Sequence, residues 1–186
     1  MITLGPLAIA IVYLGRALDW PYLYLETQVK TTQEFIAMPL VGIALLLFFI
    51  TALSSGKLIA WLLALLSANF LWREWNQLGA RHGVYVIIAL IAFIWIKKYK
   101  DIVADFNRPG IGVAIISSGW TYFFSQLISK RIFKAQLGLP GLLDEAILHV
   151  QFEELSETVA HISLIIVALR LYFALKNANA PQLNPS

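Results

Sequence analysis

Six apolar runs divide the chain: Thr3–Leu18, Phe35–Leu53, Leu58–Trp72, Val84–Ile96, Ile111–Leu127 and Leu155–Leu175. None alternates apolar and polar positions with the period of two that a barrel strand needs. Only helices or closed barrels satisfy their backbone groups inside lipid, so the pattern predicts helices. The third, fourth and fifth runs fall short of the ~20 residues that cross a bilayer core. They are expected to extend a turn into flanking polar residues, or to sit in a thinned bilayer. The fold expected is all-α, a polytopic transmembrane helical bundle of about six spans.

Local signals divide the runs further. Thr31-Thr32-Gln33-Glu34 reads as a capping box ahead of the second span. Ser54-Ser55-Gly56 makes a turn before the third, and Asn107-Arg108-Pro109-Gly110 stops the helix after the fourth. Leu137-Gly138-Leu139-Pro140-Gly141 breaks the chain before a last helix expected from about Leu142 to Asn177. Leu143, Ile147 and Val150 recur at helical spacing in its first turns, as in a helix lying on a membrane surface. Residues 1–176 are expected to form one membrane domain, and 177–186 a polar tail without structure.

Composition supports the membrane class. Of 186 residues, 59% are hydrophobic and 13% charged, and the mean hydropathy is +0.73. There is no cysteine, which excludes disulfides, thiolate metal sites and cysteine nucleophiles. The net charge of +3 suits anionic lipid headgroups rather than nucleic acid. No basic residue precedes the first run and no small-residue cleavage site follows it, so no cleaved signal peptide is expected.

Six spans place both termini on one side. The opposite side receives seven basic and nine acidic residues, and the terminal side seven basic against two acidic. Lys and Arg counts alone therefore tie. The dense Lys97-Lys98-Tyr99-Lys100 run points to cytoplasmic termini, in a bacterial inner membrane. Trp20, Trp72, Trp75, Tyr85 and Tyr122 on one side, with Trp61, Trp95, Tyr99 and Tyr172 on the other, match the two interfacial aromatic belts.

The unusual polar residues gather on the side away from the termini. Phe152-Glu153-Glu154-Leu155-Ser156-Glu157-Thr158-Val159-Ala160-His161 leads directly into the last apolar run. Ionisable groups at that depth are costly and mark function by default. Arg73, Glu74, His82, Arg131, Glu153, Glu154, Glu157 and His161 are expected to form one polar cluster within a single leaflet. The simplest account is an ion-pair network in which arginines neutralise carboxylates. Glu157 and His161 are four apart and face one way, ~6 Å along the axis. His82 could complete a set of two histidines and a carboxylate for zinc or non-haem iron. Facing His82 and His161 would suit haem. No cofactor is favoured, because the HExxH pattern and the ExxH pattern of di-iron bundles are both absent. Ser117-Ser118-Gly119, with Gly112 and Ala114, reads as a close helix–helix contact. Arg170 reads as a side chain reaching for the headgroups.

The order Leu71-Trp72-Arg73-Glu74-Trp75-Asn76, His82-Gly83, Lys130-Arg131 and Glu153-Glu154-Leu155-Ser156-Glu157 resembles a group of uncharacterised bacterial integral membrane proteins. Those carry an Arg-Glu-x-Asp segment, a His-Gly pair and a Glu-Glu-x-x-Glu entry to the last span. The resemblance covers about residues 58–176, and Asn76 stands where the pattern has Asp. It implies a candidate site and carries no activity. The leading functional expectation is a small non-catalytic subunit or a lipid- or ligand-binding module. Its partners would be the bilayer and other membrane subunits or further copies of itself. A membrane-embedded metal-dependent enzyme acting on a lipid or quinone comes second, and a proton- or ion-coupled carrier third.

Overall fold

Gly56 and Gly110 mark the two tight turns around which much of the chain is arranged; both have positive φ, 65° and 79°. A computed structural model describes residues 26–75, 81–129 and 146–178, with Leu14 and Leu18. All the described secondary structure is helical. In chain order the helices are α1 (Glu26–Ser55), α2 (Leu58–Trp75), α3 (Arg81–Lys97), α4 (Tyr99–Phe106), α5 (Ile111–Ser129) and α6 (Ala146–Ala178). Within them, Phe35–Ser55 (21 residues, mean hydropathy 2.6) and Phe152–Asn177 (26 residues, mean hydropathy 1.9) are long and apolar enough to cross a membrane. Tyr85–Lys97 is apolar but shorter. The expected first span and the Gly138–Gly141 break lie outside the described residues, apart from Leu14 and Leu18. So do Arg131 and the tail beyond Ala178.

Contacts divide the chain into two compact units: Met1–Leu40 with Ile115–Leu164, and Val41–Ala114 with Ile165–Ser186. In the second unit α2 packs against both α3 and α4, and α3 against α4. Val41, Ala44, Phe48, Ile59, Ala60, Ile102 and Leu171 are almost wholly buried there. In the first unit Phe152, Val159, Ala160 and Leu164 are the buried apolar positions of α6. They recur at helical spacing and give α6 one packed stripe.

Two elements differ from the sequence pattern. The Thr31–Glu34 segment does not start a helix, because α1 already runs from Glu26. Gln28, Gln33 and Glu34 are good helix formers, so nothing forces a start at the cap-like threonines. The fourth run forms its helix to Lys97, one residue past the expected Ile96, but that helix ends well before the stop signal at Asn107–Gly110. The chain leaves α-geometry at Lys98 (φ −111°, ψ 25°) and forms the eight-residue α4 before Asn107. Burial explains the break. Ile102 and Asp105 face inward while Tyr99, Lys100 and Asp101 stay exposed. Trp95 of α3 then meets Phe106 of α4 edge-on at 5.5 Å.

Hydroxyls inside the apolar helices bond to their own backbone. Thr51 Oγ1 donates to the Leu47 carbonyl at 2.7 Å and Ser55 Oγ to that of Thr51 at 2.6 Å. Gly56 then ends α1, its N–H reaching the Ala52 carbonyl at 2.8 Å. The same unit holds a buried carboxylate that the sequence pattern did not single out. Asp105 is 2% exposed, and Arg108 Nε donates to Oδ1 at 2.9 Å. Lys57 Nζ approaches Oδ2 at 3.4 Å. One carboxylate therefore joins the α1–α2 turn to the α4–α5 turn.

Asp105→Ala should lower stability by ~1–3 kcal/mol, because it leaves two semi-buried cations without their shared partner. Asp101, paired with Lys98 at 3.9 Å with both side chains over 60% exposed, should cost under ~0.5 kcal/mol when replaced by Ala. Thermal unfolding of both variants in one detergent checks the ranking.

Candidate functional site

The first unit carries a polar seam where α5 and α6 run antiparallel. Ser118 and Ser163 share a hydrogen bond of 2.8 Å between the helices, and Ser163 Oγ also donates to the Ala160 carbonyl at 2.7 Å. One turn along, the Tyr122 ring meets the His161 imidazole edge-on, with centroids 5.6 Å apart. A further turn on, Gln126 Nε2 reaches Glu157 Oε1 at 3.5 Å, the outer edge of a hydrogen bond. His161 is 0% exposed within a membrane-length apolar helix.

The register places Ser125 and Ser156 beside the Gln126–Glu157 pair. Both are fully buried, and neither hydroxyl has a hydrogen-bond partner among the described residues. This contrasts with Thr121, whose hydroxyl bonds back to the Ser117 carbonyl at 2.8 Å. Helical serines commonly take that backbone option. Two buried hydroxyls left open at one level, next to a carboxylate and an amide, form a place where a polar group could be received.

The described members of the expected cluster belong to both units. Glu153, Glu154, Glu157 and His161 lie on successive turns of α6 in the first unit. Glu153, Glu154 and Glu157 are half-buried. Arg73 and Glu74 lie at the end of α2 in the second unit, where the arginine Nη2 and Nε bond one carboxylate oxygen at 2.6 and 3.0 Å. The His82 backbone belongs to α3, and its side chain lies outside the described residues, as does all of Arg131. Among the described residues no group of three histidines and acids is placed to hold a metal ion.

The small-residue reading of α5 was right in kind and partly wrong in place. Ser118 makes the close contact. Gly119 is exposed and has open space beside it. Gly112 packs against Phe106 of the preceding helix; an added Cβ would lie 2.8 Å from its ring. Ser125 and Gln126 were not singled out in the sequence, Tyr122 stood only as a belt aromatic and Ser156 only as a member of the segment that opens the last run. The available signal was a polar stripe through an apolar run at positions 118, 121, 122, 125 and 126, matched on α6 at 156, 157, 161 and 163. No protein family, curated protein or solved structure matches the chain.

The seam offers hydrogen-bond donors and acceptors, one carboxylate and one imidazole. Ser118→Ala and Ser163→Ala should show a coupling energy of ~0.6 kcal/mol, and at most ~1.7, the range for hydrogen bonds between membrane helices. A double-mutant cycle of unfolding in detergent measures it.

Proposed function

We propose that the chain is a polytopic integral membrane protein of about six spans. It acts as a non-catalytic binding module, and its ligand presents a polar head to the α5–α6 seam. The observation that carries this reading is the pair of open, buried hydroxyls of Ser125 and Ser156 level with Glu157, one turn from the buried His161. A carboxylate, an amide and two hydroxyls suit the hydroxyl, amine or amide head of a lipid or small amphiphile. Ser118–Ser163 holds the two helices together beside the site. The polar groups of this module have no role in bond making or breaking.

Membrane residence is supported by what faces outward. Only 33% of the Phe35–Ser55 window is buried, so most of a strongly apolar helix is not covered by protein. On α3, Val86, Leu90, Phe93 and Ile96 are all exposed. Exposed apolar surface of that extent fits a lipid-facing wall. Trp72, Trp75 and Tyr85, exposed at the ends of α2 and α3, suit a headgroup belt. The bacterial inner membrane, with cytoplasmic termini, follows from the motif resemblance and the Lys97–Lys100 run.

Reporter fusions at the two termini should report the same side, and opposite sides would refute the six-span topology. Protein purified without a histidine tag should carry a polar-headed small molecule detectable by mass spectrometry. Glu157→Gln should reduce its occupancy about tenfold or more, as for loss of a charged hydrogen bond. Stoichiometric metal in place of such a molecule, lost on His161→Ala, would refute the binding module and favour a membrane metalloenzyme.

A further inference from the structure

The second unit has its own apolar groove, separate from the seam. It lies between α1 and α2 and encloses ~630 Å³, within the range of small-molecule sites. Gly42, Ala64 and Ala68 form its low floor, and Leu46, Phe49 and Trp61 stand along it. Nothing lies within 4 Å of a Cβ built on Gly42, so the floor is open there. Phe49 and Trp61 close one end in an edge-on pair with centroids 5.6 Å apart. From Gly42 to Phe49 the groove follows α1 for two turns, ~10 Å.

The closed end points at a concentration of positive charge. Lys57 sits one turn before Trp61, its carbonyl accepting the Trp61 N–H at 3.3 Å. Its side chain is 44% exposed, and the ammonium group reaches Asp105 at 3.4 Å. An ammonium has three donors, so capacity remains. Arg108 gives Nε to the same carboxylate, and a guanidinium carries four further N–H donors. Arg170 completes the group. Its Nη1 lies 2.8 Å from the place a Cβ on Gly110 would occupy, and no carboxylate pairs with it among the described residues. Lys57 and Arg108 thus share one buried carboxylate and Arg170 lies against Gly110 in the same turn as Arg108, with Lys57 one turn from the Trp61 end of the groove.

We propose that this is a binding site for an anionic phospholipid. Its phosphate lies against Lys57, Arg108 and Arg170, and one acyl chain runs from Trp61 toward Gly42. The surplus of positive charge selects an anionic head over a zwitterionic one. The groove selects a hydrocarbon chain. Two helical turns are too short for a second copy, since a specific protein interface needs about 800 Å² on each partner. The inference rests on the membrane residence proposed above and is independent of the seam.

The test uses the full chain. Carbonate washing of membranes comes first: a chain released by carbonate refutes membrane residence and this site together. A retained chain is purified in mild detergent. Native mass spectrometry then compares phosphatidylglycerol with phosphatidylcholine of the same acyl chains. Wild type should bind phosphatidylglycerol at least about tenfold more tightly, as two net charges at the headgroup imply. Arg170→Gln, which leaves the Asp105 pairs intact, should weaken phosphatidylglycerol about fivefold and leave phosphatidylcholine unchanged. Gly42→Leu fills open space and should weaken both lipids while keeping the preference. Equal binding of the two lipids by wild type overturns the proposal. So does unchanged lipid binding in Gly42→Leu, or a wild-type dimer that Gly42→Leu abolishes.

Discussion

Polar groups in this chain must find partners inside an apolar helical frame, and the rest of the structure follows from how each one does. Burying an unpaired polar group is expensive, and burying an unpaired charge more so. Three solutions occur side by side. Thr51, Ser55 and Thr121 return their hydroxyls to carbonyls of their own helices. Ser118 and Ser163 satisfy each other and tie α5 to α6. Asp105 goes inside because Lys57 and Arg108 come with it. Ser67, Ser125 and Ser156 depart from this rule among the described residues, and the binding reading follows from the two that lie level with Glu157.

The two units use charge differently. In the second unit the cations gather around Asp105 at the turns, where Gly56 and Gly110 let the backbone reverse with positive φ. At Gly110 the end of the Arg170 side chain lies where a Cβ would stand. That arginine was expected to reach for headgroups, and its position against the α4–α5 turn leaves it exposed and able to do so. In the first unit, the carboxylates of α6 sit on a helix that becomes strongly apolar within two turns. Charge at the turns holds helix ends in place; charge and imidazole within the span of α6 leave room for recognition.

Much of the helical content was legible from apolar runs alone. The last helix was expected to reach Asn177, and α6 ends at Ala178. The break at Lys98 was harder to see. It comes from the inward turn of Ile102 and Asp105, and periodicity over eight residues gives too little signal for that. Nothing in the sequence pattern singles out Asp105, because its partner Lys57 is 48 positions away. The seam was half legible. Glu157 and His161 stood out as ionisable groups in an apolar run, and the serines of α5 stood out as small. Their register against each other depends on helix packing, which a single sequence does not specify.

The central claim is that the α5–α6 seam receives a ligand's polar group. An experimental structure of the protein crystallised from a lipidic phase measures this most directly. The account predicts non-protein density within hydrogen-bond distance, ~2.5–3.2 Å, of the Ser125 and Ser156 hydroxyls and the Glu157 carboxylate. If both hydroxyls instead bond to backbone carbonyls of their own helices and protein atoms fill the space between them, the seam is a packing interface and the account is contradicted.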